Sequence, residues 1–466
     1  MSGRVVLKAC TGALLLPCIA GLARTAAVIG LRVPLDPNEG WNAYHALHAM
    51  SGAALYPAAN TLLYNNYPPL SYYAVGALGS IVGGNIVAGR LLSLLATLAV
   101  AAGIVLTARR MRVDAAGAAF AAVLFVAGLL VFTDYVGMDD PQLFGHAVAM
   151  AGLVVLLNAP RSWRAAVGAA LLMTLAVYIK HNLFVLPIAL ALWLALYDRR
   201  AAVPFAASGL AFALLGLAMF RLVYGTSLLD HLDSPRVWSF DLLAASLANW
   251  LVWADVALFA MAALLVLKRE DSYVVFTALY ASVAIFAAVL FAGGAGVDMN
   301  IWFDAMIALS LGTALAVNRI VAKKGWAAFA AVVFALPLAA GVALNWDDAW
   351  LERDFWLRPM SSEARTARAD IAFLQRQEGP ALCEMLSLCY WAGKAEEADV
   401  FNLGQAYATK ARGDDALVRA LDRQYYKSIE FDSLDDFALT PRVRQVLLRR
   451  YRIDHRNDEG VFLLPR

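Results

Sequence analysis

"LDPNEGWNAYHALHAM", residues 35–50, follows directly on an apolar run and carries two carboxylates, two histidines and a tryptophan without one Lys or Arg. Of the chain's 466 residues, 61% are hydrophobic and 16% charged, whereas a water-soluble domain averages about 25% charged. Apolar windows fall at roughly 8–31, 87–108, 115–133, 142–158, 164–180, 183–197, 202–223, 242–267, 273–293, 301–321 and 326–345. Many have the ~18 or more residues needed to cross a bilayer core of about 30 Å. Helix is the open-ended structure that satisfies its own backbone in lipid. The composition therefore predicts an all-α polytopic membrane protein with about eleven transmembrane helices over 1–345. Residues 35–50 belong to a long first loop, 33–86.

The connecting segments sort by charge. Arg4 and Lys8, Arg109 to Arg112, Arg161 and Arg164, Arg199 and Arg200, Lys268 and Arg269, and Arg319 to Lys324 make one basic set. The alternate set is nearly free of bases: no Lys or Arg occurs from Val33 to Gly89, nor in "TDYVGMDDPQ" or "GGAGVDMN". Basic loops stay cytoplasmic. The N-terminus is therefore expected inside, the base-free loops outside, and the whole chain in the inner membrane. The first helix is read as retained, since no small-residue cleavage site precedes Asp36.

From about Trp346 the composition becomes that of an ordinary soluble domain, and 346–466 is expected to form a small extracytoplasmic α/β unit. "SSEARTARADIAFLQRQ" has the Ser cap and early Glu of a helix start. "YKSIEFD" and "GVFLLPR" suit strands, with "NDEG" as a turn. Cys383 and Cys389 are six apart, too distant to be bridged within a regular helix or strand, so they can pair only across a tight turn. Cys10 and Cys18 read as core thiols.

Asp36, Glu39, Asp134, Asp139, Asp140, Asp230, Asp233 and Asp298 all fall on the outer side. Asp304 lies just inside a helix, with Lys180, His181 and Arg221 at helix ends. Ionisable groups at the bilayer edge usually face a polar cavity, so an outward-facing chamber is expected. The loop's "LLYNNYPPLSYYAVGALGSIVGG" adds a rigid Pro-Pro and tyrosines, which favour the membrane–water interface. A helix lying on the outer leaflet is predicted there, its prolines at the first turn.

In that order, "DPNEGWNAYHALHAM", "NNYPPLSYYAVGAL" and "AGRLLSLLA" resemble the first outer loop and second helix of GT-C glycosyltransferases. These multi-spanning enzymes use polyprenyl-phosphate-linked sugars and include protein O-mannosyltransferases and the lipid A aminoarabinose transferase. The resemblance aligns the family's Asp-Glu pair with Asn38-Glu39, its Pro-Pro segment with Tyr67-Pro68-Pro69-Leu70, and its fourth-helix acid with Asp140 beside Asp139. It aligns the family's outer-turn lysine with Lys180, and a later Asn and acid with Asn300 and Asp304. The family's first-loop Asp falls on Asn38, which cannot ionise, so Asp36 or Glu39 has to replace it or the base lies elsewhere.

The function implied is transfer of a hexose or pentose from a polyprenyl-phosphate donor to an acceptor hydroxyl. A carboxylate serves as general base, drawn from Glu39, Asp36 and Asp140. Cations stabilise the departing lipid phosphate: Lys180, Arg221 and Arg236. Asn38, Tyr67, Asp139, His181, Asn300 and Asp304 are candidates for holding substrate. His45 and His48, three apart on one helix face, are candidates for a divalent metal together with Asp36 or Glu39, and no cofactor is required by the pattern. Expected partners are the lipid bilayer, the lipid-linked sugar, and a glycan, lipid or protein acceptor of the cell envelope. A nucleic-acid partner is not expected, and oligomeric state is left open. Two alternatives remain. One is a transporter or flippase for a lipid-linked or polar solute, which the lack of visible inverted repeats disfavours. The other is a catalytically inactive scaffold for envelope assembly.

Overall fold

The structure, a computed structural model, describes residues 3–58, 60–226, 236–319, 327–457 and 460–466. Asp230, Asp233, Lys323 and Lys324 lie outside the described residues. Each apolar window carries one helix: α1 (Gly3–Val28), α4 (Asn85–Arg110), α5 (Ala115–Phe132), α6 (Gln142–Asn158), α7 (Trp163–Ile179), α8 (Val185–Tyr197), α9 (Arg199–Tyr224), α10 (Phe240–Lys268), α11 (Ser272–Phe291), α12 (Phe303–Arg319) and α13 (Ala327–Leu344). Among the described residues, 7 helices are long and apolar enough to cross a membrane. At a rise of about 1.5 Å per residue, the shorter apolar ones do not reach ~30 Å by themselves.

Two further helices occupy the first loop. α2 (Pro37–Ser51) starts where Asp36 accepts the Asn38 N–H, with Pro37 in the first turn, and stops at Gly52 in the left-handed region. Both are ordinary helix signals. α3 (Leu70–Val82) begins directly after Pro68-Pro69 and ends at Gly83. Beneath them Trp41, Tyr44, Tyr56, Tyr72, Val75 and Phe220 make a separate aromatic core.

α12 is the axis of the bundle, buried from Phe303 to Val317 and packed by α5, α10 and α11. Trp302 at its start stacks on Trp250, with centroids 4.3 Å apart. The connections divide between two ends. At one end Arg319 donates to the carbonyls of Met111 and Arg112 and to Asp271. The base-free segments, the first loop and the C-terminal residues gather at the other.

The C-terminal residues form a four-stranded sheet in the order β1-β2-β4-β3. Its strands are β1 (Ala381–Cys383), β2 (Ser428–Phe431), β3 (Tyr451–Asn457) and β4 (Gly460–Pro465). β1 runs parallel to β2, and the other pairings are antiparallel. The expected helix appears as α14 (Glu363–Arg376), and α15 (Leu386–Trp391), α16 (Val400–Ala408), α17 (Asp415–Asp422) and α18 (Pro441–Arg450) cover the sheet. Two residues of the "NDEG" turn, 458 and 459, lie outside the described residues. Cys383 and Cys389 are joined by a disulfide across the turn between β1 and α15, with Cα atoms 6.1 Å apart.

That turn is the floor of α2. A Cβ at Gly40 would run into the backbone of Leu386 and Ser387. Tyr44 Oη donates to the Lys394 carbonyl at 2.8 Å, and the Asp399 N–H donates to the Leu62 carbonyl at 2.9 Å. Gly40→Ala is therefore expected to push α2 off its seat, costing about 1–3 kcal/mol as overpacking does. A lower thermal midpoint in detergent checks this, and an unchanged one refutes the contact.

Candidate active site at the base-free end

Four elements deliver the site: the α1–α2 connection, the start of α4, the α5–α6 connection and the end of α7. The deepest layer is Arg90 on α4. It is fully buried, as is Glu39, and its Nε and Nη2 donate to the two oxygens of Glu39 at 2.7 and 2.5 Å. Its remaining N–H groups donate to the carbonyls of Leu31 at 2.8 Å and Val33 at 2.6 Å. Glu39 also accepts the backbone N–H of Leu35 at 3.1 Å and of Asp139 at 3.2 Å. This corrects the expectation of Glu39 as base. A carboxylate clamped in a fork by a guanidinium and carrying two backbone donors has no oxygen left for an acceptor hydroxyl. It ties the end of α1, the start of α2 and the α5–α6 connection to α4.

Asp139 is buried as well, its side chain lying where a Cβ at Gly89 would sit. Burial and the neighbouring Glu39 and Asp140 push its carboxyl well above the usual range. Its enclosed position disagrees with the substrate-holding role given to it by sequence.

Asp140 and Lys180 form the second layer. Lys180 Nζ donates to both Asp140 oxygens at 2.9 Å, both side chains being buried. Lys180 also lies 4.7 Å from the centre of the Tyr67 ring, a cation–π contact. The His181 ring lies 6.0 Å from that of Tyr67. Arg236 sits over Phe401 at 4.9 Å, and its Nη1 is buried without a hydrogen-bond partner among the described residues. Its charge reaches both Tyr67 and Asp399. The Tyr67 ring thus lies between Lys180 and His181. Arg221, the third cation expected there, is exposed near the end of α9 and makes no ion pair with the cluster among the described residues.

Asp36 is the carboxylate that stays half-buried at the rim. One oxygen caps α2 through the Asn38 N–H at 2.8 Å. Burial, and then Asp140, Glu39 and Asp298, push its pKa up to about 6. Asn38 lies beside it, half-exposed, and Asn300 is similarly half-exposed on the short turn Met299–Trp302.

Among the described residues, Asp304 is linked to the site through a run of buried polar groups. Asp140 accepts the Gln142 N–H at 2.7 Å, and Gln142 Nε2 lies 3.1 Å from His146 Nε2. An amide NH₂ can only donate, so that ring nitrogen accepts and Nδ1 carries the proton, 4.0 Å from Asp304. Tyr280 Oη donates to Asp304 at 2.5 Å. Asp304 thus sits buried in the first turn of α12, committed to Tyr280.

Comparison with known proteins now decides the architecture. The family model for dolichyl-phosphate-mannose-protein mannosyltransferases matches residues 66–224. ArnT from Cupriavidus metallidurans, bound to undecaprenyl phosphate, superposes with a TM-score of 0.62 at 14% identity, covering 97% of this chain and 98% of that one. Its apo state gives 0.64 at 14% identity, with 98% of each chain covered. The chain has the fold of ArnT over nearly its whole length. The superposition on ArnT extends past the helices through the C-terminal sheet, since coverage is nearly complete on both sides. An oligosaccharyltransferase from Archaeoglobus fulgidus is more distant, with a TM-score of 0.48, 14% identity, and 89% of this chain and 67% of that one covered. No curated protein matches the chain by sequence.

Sequence reasoning missed Arg90 as the partner of Glu39, and Gln142 and Phe401 altogether. Arg90 had a signal: it is the first base after a long base-free stretch, five residues into an apolar helix, where an unpaired charge would be costly.

Proposed function

We propose that the protein transfers a sugar from a polyprenyl-phosphate donor to an acceptor hydroxyl at the outer face of the inner membrane, by direct displacement with inversion. The observation that supports this reading is the buried Lys180–Asp140 pair against the Tyr67 ring, with Asp36 close enough to feel the Asp140 charge, at the base-free end of a GT-C bundle. Asp36 accepts the proton of the acceptor hydroxyl as its oxygen bonds to the anomeric carbon. The bond from that carbon to the phosphate oxygen breaks, and the phosphate leaves with the electron pair. Lys180 and Arg236 receive the charge that develops there, in a setting where water is scarce and fixed cations act strongly. The likeness to ArnT, which binds undecaprenyl phosphate, supports a lipid phosphate of that kind as leaving group. The grouping of basic connections at the opposite end supports an outward-facing site, and the Cys383–Cys389 disulfide supports an oxidising compartment.

Incubating purified protein with a panel of polyprenyl-phosphate hexoses and pentoses and scoring released lipid phosphate tests the proposal. Movement of intact lipid-linked sugar across vesicles without release overturns it in favour of a flippase. Asp36→Asn is the sharper variant, because Asn is as good a helix cap as Asp but cannot take a proton. Its rate is expected to fall 10²- to 10⁴-fold, the usual scale of general-base loss, with the thermal midpoint unchanged. With a pKa of about 6, the base is protonated below that pH and charged above it. The wild-type rate should therefore rise about tenfold per pH unit below 6 and level off above. A pH-independent rate between 4.5 and 7.5 removes Asp36 from the role.

A further inference from the structure

α2 presents His45 and His48 on one face, and the C-terminal segment before α16 brings Glu396 against them. The ligand atoms of these three side chains all lie within 4.8 Å of one another. Glu396 Oε2 is 3.9 Å from His45 Nδ1 and 3.7 Å from His48 Nδ1, and its side chain is completely enclosed. Neither Glu396 oxygen has a hydrogen-bond partner among the described residues. A buried carboxylate left so is expensive. Its neighbours stand too far for a hydrogen bond but near the spacing of two ligands on one ion. With metal–ligand bonds of about 2.0–2.2 Å, tetrahedral ligands stand roughly 3.3–3.6 Å apart.

The ring orientation points the same way. His45 Nε2 is 2.9 Å from the Tyr64 carbonyl. A carbonyl only accepts, so Nε2 carries the hydrogen and the lone pair is on Nδ1, the atom directed at Glu396. Metal-binding histidines are characteristically fixed by such a bond from the second nitrogen. Trp41 and Tyr72 hold the His45 ring edge-on, with centroids 4.4 and 5.3 Å away. His48 is partly exposed, 20% at its side chain, so one side of the trio is open to water for entry and for a fourth ligand.

We infer that His45, His48 and Glu396 form a binding site for one divalent transition-metal ion, Zn²⁺ or Co²⁺ in kind, which pins α2 to the C-terminal segment. Two imidazoles and one carboxylate suit these borderline ions better than Mg²⁺ or Ca²⁺, which prefer all-oxygen shells. Glu396 replaces the Asp36 or Glu39 expected as the third ligand from sequence; both are committed elsewhere, to the α2 cap and to Arg90. The role is structural and independent of the transfer reaction. The ion joins residues far apart in the chain at the helix that starts at Asp36.

The test uses the full chain in detergent, stripped with EDTA, reloaded with ZnCl₂ or CoCl₂ and freed of excess by gel filtration. Elemental analysis is expected to give about one Zn per chain, and the Co²⁺ form to show visible absorption of a four-coordinate ion. His48→Ala at the solvent edge and the isosteric Glu396→Gln should each hold less than a tenth as much. EDTA should lower the thermal midpoint of the wild type and leave those of the variants unmoved. Wild-type protein that retains no stoichiometric metal, or variants that retain as much as the wild type, would overturn the site. The wild-type measurement decides the matter even if one variant fails to fold.

Discussion

Lys180→Met is expected to remove transfer and to destabilise the chain together, and pairing it with Asp140→Asn should separate the two effects. Lys180 Nζ donates to both oxygens of Asp140 within the bundle. Breaking such a pair from one side strands a buried charge, at roughly 3–5 kcal/mol. Replacing both partners by neutral groups of similar volume is far milder, often near neutral. The double variant should thus regain most of the thermal midpoint. Its transfer rate should stay depressed at least about a hundredfold, since the cation beneath the departing phosphate is still missing, a loss on the scale of a removed oxyanion donor. Recovery of the rate along with stability would reduce Lys180 to a packing role, and the donor phosphate would then need another receptor.

Arg90→Met is the second large effect, and it is one of folding. The guanidinium satisfies Glu39 and the carbonyls of Leu31 and Val33, all shut away from water. Its loss orphans them together, so the cost is expected to meet or exceed roughly 3–5 kcal/mol. Poor yield and a broad elution profile in detergent are the readouts. Glu39→Gln should also destabilise, because its NH₂ would face N–H donors and the buried Arg90 would lose its counter-charge, but a folded fraction can still be assayed. It should keep transfer within about tenfold of wild type, as expected of a residue that positions and takes no proton. A loss of 10³ or more at Glu39 with the fold intact would return the base to that residue.

The bundle was legible because its signal is local. A helix in lipid has to be apolar over its own length, and α5 or α11 can be read from eighteen to twenty consecutive letters. α3 was legible for the same reason, through Pro68-Pro69, whereas the start of α2 at Asp36-Pro37 was not read from those residues. The strands β2 and β4 stood out as apolar runs. β3, "YRIDHRN", did not, because six of its seven residues are not buried. β1 is three residues long and exists only because β2 lies beside it. The candidate site was legible in membership more than in role. Lys180 and Asp140 were singled out separately, and nothing in either segment shows that one neutralises the other. Glu39 looked reactive because it is acidic in an outer loop, while the residue that silences it is 51 positions away. Glu396 was invisible as a partner of His45 for the same reason.

The seat of α2 carries a consequence for biogenesis. Tyr44 and the carbonyl it reaches are separated by 350 positions, and Gly40 rests on a turn that a disulfide closes. At about 5–20 residues per second, a ribosome needs roughly 20–70 s between making the two. For that interval the earliest extramembrane helix has no floor, and its aromatic underside is exposed at the lipid headgroups. A chain released early, short of residue 380, would carry every apolar helix and still lack a completed chamber, which makes the last-synthesised stretch the latch on the first.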